Sequence, residues 1–316
     1  MLLFRIKSTD ILLIVLFISG MCFSCYTRSD LLEAYKNSDY KQIQALIDQG
    51  TDVDIKFDDD VTLIMQAARC GQNEMVSLFL KAKPDLEWKD KEGRTALSLA
   101  CQSCSYDVAE LLIDNGANFV LDRWDVSLLD YAVQCTDSTY QRLAALLIEK
   151  YEMKTKMPDR ISAALFFADS IPKAQFLIAN GANINYVDKI GRSPLGAAIN
   201  PERVVVAEFL INQGASVNLK DRTGDGWTPL ISAVDEGLTE IVELLLSKGA
   251  DWRPRIKKGP FRGLNALGMA RILASNDNAQ FLEKLPLMAR DRYSGDVFKR
   301  RQSEIVSILE TAGAKR

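Results

Sequence analysis

The stretch Gly226–Asp251, GWTPLISAVDEGLTEIVELLLSKGAD, decides how the whole chain is read. It is written as two short helices. Thr228 stands where a side-chain oxygen caps a first helix, and Pro229 takes the first helical position, where a missing N–H costs nothing. Gly237 breaks the apolar spacing, LTEIVELLL resumes it at helical period, and Gly249 closes the second helix. One such pair cannot cover its own apolar face, so the unit demands neighbours of the same kind.

Those neighbours recur along the chain. The closing glycine returns at Gly50, Gly116, Gly181, Gly214, Gly249 and Gly313, with Lys83 and Tyr151 standing in where the pattern degrades. The steps are 33, 33, 35, 30, 33, 35 and 64 residues. The first-helix segment returns as TLIMQAA from Thr62, TALSLAC from Thr95, SLLDYAV from Ser127, SPLGAAI from Ser193 and NALGMAR from Asn265. Around Ile161 to Ala168, ISAALFFA keeps only the apolar character, and the degraded unit near Met153 to Ala168 is expected to open first.

The unit resembles the ankyrin repeat, whose pattern runs G-x-T-P-L-H-x-A-A, a turn, a second helix ending in L-L, then G-A-D and a hairpin finger. The resemblance covers nearly all of the chain after residue 29. It implies an all-α solenoid of about eight helix-turn-helix units, caps included, linked by β-hairpin or turn fingers across residues 29–316. Asp30 and Glu33 read as a capping-box-like start to the first cap. The family's histidine is replaced at every site, by Met65, Ser98, Asp130, Gly196, Ile231 and Gly268, so the stack is expected to lean on packing.

Composition narrows the function. The chain of 316 residues has no histidine at all, which removes the commonest general base and metal ligand together with every Ser-His or Cys-His nucleophile. No cofactor, metal or catalytic role is expected. The family resemblance implies instead a scaffold that holds a protein partner on the concave surface of fingers and first helices. On that surface the sequence offers Trp88, Arg94, Trp124, Tyr186, Arg192 and Trp227, of the residue types that dominate binding hot spots; the same aromatics could instead pack finger against finger.

Two features compete with that reading. Cys101 and Cys104 form a C-x-x-C, with Cys70 and Cys135 near the same inter-helix turn of the adjacent repeats, so a redox or enzyme-accessory role is the alternative. Equivalent positions of neighbouring repeats lie about 10 Å apart, beyond the ~7 Å a disulfide spans, which favours structural thiols, although the one-residue offset of Cys104 shortens the gap. The second feature is charge. Residues 252–316 hold 14 Lys/Arg against 6 Asp/Glu, a basic end on an acidic body, with an enlarged last unit. Arg253, Arg255, Lys257, Lys258, Arg262, Lys299, Arg300 and Arg301 would suit an anionic lipid or polymer, whereas nothing accompanies them that would suit nucleic acid. The crowded acids of the first finger, Asp52, Asp54, Asp58, Asp59 and Asp60, lack the ordered ligands and tight glycine turn of a calcium loop and read as a solvated surface.

The amino terminus suggests where the chain works. Arg5 and Lys7 precede the apolar ILLIVLFISG, and no charge falls from Ile11 to Thr27. Residues 1–25 therefore read as a signal peptide or a short membrane anchor. Small Ser24 ahead of Cys25 resembles a bacterial lipoprotein signal, with Cys25 as the acylated residue and Cys22, preceded by bulky Met21, as the poorer alternative. The expectation is an exported, monomeric protein of the bacterial cell envelope, tethered by lipid or anchor, periplasmic or secreted.

Overall fold

The computed structural model describes residues 28–56, 60–136, 138–189, 191–219, 225–275, 283 and 293–313. They fall into two compact units that part at Tyr151 and Glu152. The signal or anchor segment, with Cys22 and Cys25, lies outside the described residues, as do Asp58 and Asp59. Among the described residues no helix is long and apolar enough to cross a membrane.

The first unit stacks four helix pairs. Residues 28–36 (α1) pair with α2 (Tyr40–Asp48), and α3 (Leu63–Arg69) pairs with α4 (Asn73–Lys81). Next come α5 (Ala96–Gln102) with α6 (Tyr106–Asp114) and α7 (Leu128–Gln134) with α8 (Thr139–Lys150). In the second unit a single turn, α9 (Met153–Lys156), precedes α10 (Pro158–Ala164), which pairs with α11 (Ile171–Ala179). Three pairs follow: α12 (Pro194–Ala198) with α13 (Val204–Asn212), α14 (Pro229–Glu236) with α15 (Thr239–Ser247), and α16 (Ala266–Ala274) with α17 (Asp296–Thr311). The described residues hold eight such pairs, in keeping with the about eight units read from the glycine spacing.

The first helices start where the sequence places their caps. The side chains of Thr62, Thr95, Ser127, Ser193, Thr228 and Asn265 each accept a hydrogen bond from the backbone N–H three residues on, at 2.9–3.4 Å. Each such cap is worth about 1 kcal/mol. At two of the vacated histidine positions the replacement reaches back: Ser98 and Asp130 accept from the cap backbone N–H of Thr95 and Ser127, at 3.2 and 2.7 Å, completing capping boxes. Behind the caps, Leu97, Leu99, Leu128 and Leu129 of the first helices and Val108, Leu112, Leu143 and Leu147 of the second are buried, so each pair closes over its neighbour.

Two details depart from the sequence reading. Residues 28–30 are already helical, so Asp30 sits inside α1 rather than capping it. The left-handed residue that ends α8 is Glu152 (φ 50°), not Tyr151, so the repeat step there is one residue longer than the glycine spacing suggests. The fingers are turns rather than β-hairpins, with two isolated bridges, Lys56 to Thr62 and Leu121 to Ser127, among the described residues. The excess length of the last unit separates α16 from α17 at residues 275–295, most of which lie outside the described residues.

Candidate interaction surface

Three of the described fingers are each built around an aspartate. Asp90 Oδ1 accepts the backbone N–H groups of Glu92 and Arg94 at 3.0 and 2.8 Å, while Oδ2 receives the Arg94 guanidinium at 2.8–2.9 Å. Asp188 holds Arg192 in the same way, backbone and side chain, at 2.8 and 2.9 Å. At Asp122 the residue four on is Val126 rather than an arginine, and Oδ2 instead accepts from the Tyr131 hydroxyl at 2.5 Å; burial and then this bond push that phenol's pKa upward. Arg94 and Arg192 are thus clamps inside their own fingers as well as surface groups. The signal was present in the sequence as an Asp four residues before each of these arginines.

The predicted aromatics separate into two kinds. Trp88 is half-buried: its Nε1 donates to the Asp60 carbonyl of the preceding finger at 2.8 Å, and Lys56 Nζ lies 3.7 Å from its ring. Tyr186 packs edge-on to Phe166 at 6.2 Å, and burial raises its pKa. These two fasten the fold. Trp124 is 68% exposed, with Nε1 donating to Glu92 at 3.3 Å and Arg123 beside the ring at 5.1 Å. In the second unit Arg192 and Trp227 come together, lining a cleft of about 220 Å³ between two repeats with Ser193, Leu219 and Pro229.

A hydrogen-bond ladder does the work the absent histidines do not. Four residues after the helix-ending left-handed position, Asp54, Glu87, Asn185 and Asn218 each accept from a backbone N–H of the next finger, that of Asp85, Asn118, Ser216 and Asp251, at 2.7–3.2 Å. Val120 occupies this column in the third pair and has no acceptor; there the Tyr151 hydroxyl donates to the Ala117 carbonyl at 2.6 Å instead. The stack therefore leans on these hydrogen bonds as well as on the packing expected from the sequence.

Of the arrangements open to the cysteines, the disulfide that the offset of Cys104 allows is present. Cys104 is bonded to Cys135 across adjacent repeats with a Cα–Cα distance of 5.6 Å. The gap closes because the two positions are not equivalent. Cys104 takes the left-handed turn position (φ 59°) that Gly71 and Gly237 hold elsewhere, and Cys135 caps the end of α7. Cys101 is a free, fully buried thiol whose pKa burial pushes far up, and Cys70 is free and exposed. Cys101 and Cys104 are therefore not bonded to one another. Among the described residues no group of three or more Cys, Asp or Glu is placed to hold a metal ion.

Much of the basic end is engaged locally. Arg253 pairs with Asp251 at 3.3 Å, Lys258 with Asp225 at 2.8 Å, and Arg255 donates to the Gly263 carbonyl at 2.6 Å. Lys257 and Arg262 are exposed on the same finger, while Lys299, Arg300 and Arg301 belong to α17, so the eight residues do not make one continuous patch in sequence or element.

A family model described as ankyrin repeats, in three copies, matches residues 31–123 and again 160–255. The chain belongs to the ankyrin-repeat family. The match leaves out residues 124–159, where the two units part, and everything after 255, where the last pair is enlarged. Among curated relatives, Delta-latroinsectotoxin-Lt1a of Latrodectus tredecimguttatus is 36% identical over 75 residues, which is 23% of this chain and 6% of the toxin. A putative ankyrin repeat-containing protein of Treponema pallidum (strain Nichols) is 34% identical over 96 residues, 30% of this chain and 32% of that one. The probable 26S proteasome regulatory subunit p28 of Saccharomyces cerevisiae is 28% identical over 193 residues, 58% of this chain and 84% of that one. The human ASB11 ankyrin repeat domain superposes with a TM-score of 0.42 at 22% identity, covering 84% of this chain and 97% of that one. Ankyrin repeats generally mediate protein–protein interaction, and proteins built from them are typically non-enzymatic.

Proposed function

We propose that this ankyrin protein is a non-enzymatic scaffold, exported to a bacterial cell envelope, that holds another protein on its finger and first-helix face. The observation that carries the binding half is the pairing of Arg192 with Trp227 in one inter-repeat cleft, with Trp124 exposed on a finger of the other unit. Rigid side chains already fixed by Asp188 and by finger contacts lose little freedom on binding, which favours affinity per contact. The export half is supported by the Cys104–Cys135 disulfide, a bond that persists in oxidising compartments, and by the secretory pattern of residues 1–25 with Cys25 as the lipid-bearing residue.

Site-specific photocrosslinking in intact cells tests the binding face. A photoreactive residue at 124 or 227 should trap one protein that is not trapped from position 74, on the second-helix face. Equal trapping from all three positions, or none, overturns the assignment. For the tether, fatty-acid labelling should mark the wild-type chain and vanish in Cys25→Ala; label retained in that variant rules Cys25 out.

A further inference from the structure

The irregular last pair builds something the regular repeats lack. At 16 residues α17 is the longest described helix, and its first turns lie over the inner turn of the preceding pair. Phe298 ring carbons stand 3.0 and 3.2 Å from where a Cβ on Gly237 would be, at a residue with φ 66°, so only glycine fits there. Gln302, fully buried, donates Nε2 to the Val234 carbonyl at 2.5 Å and pins the helix in place.

The result is a walled cleft on the second-helix face. It has a volume of about 800 Å³ between α13 and α15, and Arg301 of α17 is among the residues that line it. A second hollow of about 480 Å³ continues along the other flank of α15 against Ser307 and Ile308, and the two share Glu243 and Ser247. Half-buried Val204 and Leu244 line the first, together with the edges of the buried Leu238 and Ile241. Glu208, Glu240 and Glu243 are exposed on its rim, and none of them is in an ion pair with a described residue.

We propose that this cleft docks an amphipathic helix of a partner protein, its apolar stripe over Val204 and Leu244 and its Lys or Arg residues along the flank of Glu208, Glu240 and Glu243. An apolar lining edged by exposed carboxylates suits a helix with one apolar and one basic face. Charge selects the sign of the partner, since three carboxylates face one guanidinium and a helix of acidic flanks would meet them with like charge. The site is separate from the finger and first-helix face and does not depend on it.

The test uses the full chain and two peptides read by fluorescence anisotropy: an 18-residue Leu/Lys amphipathic helix and its Glu-for-Lys counterpart. The Lys peptide should bind, and the Glu peptide at least tenfold more weakly. Reversing two rim charges in E240K/E243K should weaken the Lys peptide at least tenfold. The same charge change in E74K/D107K, on second helices of the other unit, should move it less than twofold. All four substituted residues are exposed, so folding is retained, and hydrogen exchange should show α15 protected by the peptide in wild type only. Equal weakening in both double variants would mean diffuse attraction to an acidic body and overturn the proposal. So would unaltered affinity in E240K/E243K, or absence of Lys-peptide binding.

Discussion

Asn185 Oδ1 accepts the backbone N–H of Ser216 at 2.7 Å, and the same bond recurs from Asn218 to Asp251, 33 residues on. In the first unit Asp54 plays this part toward Asp85, and it is the weaker choice. Burial, and then the nearby carboxylates of Asp52 and Asp85, raise the Asp54 pKa, although the Asp85 N–H pulls it down. A raised carboxylate contributes stability that is complete below its unfolded pKa of about 3.9 and is lost as pH rises through the folded value. At neutral pH the charged form therefore costs something that Asn does not. Asp54→Asn should raise the thermal midpoint at pH 7, and the gain should shrink as pH falls through the carboxylate range. A gain that persists unaltered at acid pH would refute the electrostatic account.

The finger aspartates should matter more for stability than the arginines beside them. Asp90→Ala leaves the N–H groups of Glu92 and Arg94 without their acceptor inside a buried turn. Each unsatisfied donor of this sort costs about 1–3 kcal/mol. Chemical denaturation should show that loss for Asp90→Ala and a smaller one for Arg94→Ala, whose backbone N–H keeps its partner.

The two tryptophans are expected to part company under mutation. Trp88→Ala removes a hydrogen bond and a ring packed between fingers, and should destabilise. Trp124→Ala touches a side chain that is mostly in water, so its effect on stability should stay within about 0.5 kcal/mol. Its effect on partner crosslinking should be large. A Trp124→Ala chain that unfolds easily would assign that residue to the fold.

The Cys104–Cys135 bond closes a sequence separation of 31 residues. In the chain-entropy description a loop of that size stabilises by roughly 3–4 kcal/mol. Reductant, or Cys104→Ser, should lower the thermal midpoint of the first unit. Alkylation of the native protein should label Cys70 and spare Cys101, which is buried and whose thiol resists ionisation.

The architecture was legible because it repeats: caps from Thr62 to Asn265 and glycines from Gly50 to Gly313 report the same local physics many times over. What escaped was what spans two repeats. The acceptor column of Asp54, Glu87, Asn185 and Asn218 changes residue type along the chain, and only geometry shows that side chains of three types make one bond. The disulfide was left open for a related reason: the offset of Cys104 shortens the distance between repeats, but only the 5.6 Å Cα–Cα separation shows that it is short enough. The cleft beneath α17 depends on Phe298 and Gln302, which match no repeat motif and gain meaning only from their contact with Gly237 and Val234.

The weakest part of the fold should lie just after the point where the two units part. Among the described first helices after α1, α10 is the exception to side-chain capping: Met157 occupies the cap position and makes no such bond. Glu152 is a non-glycine residue in left-handed backbone a few residues before it. A missing cap is worth about 1 kcal/mol, so the amides of α10 should exchange about fivefold faster than those of the well-capped α14. Replacing Met157 with Ser or Asp should narrow that difference by supplying an acceptor for the unpaired N–H groups of the first turn. If native-state hydrogen exchange finds α10 better protected than α14 in the unaltered protein, local stability in this chain is set by something other than capping.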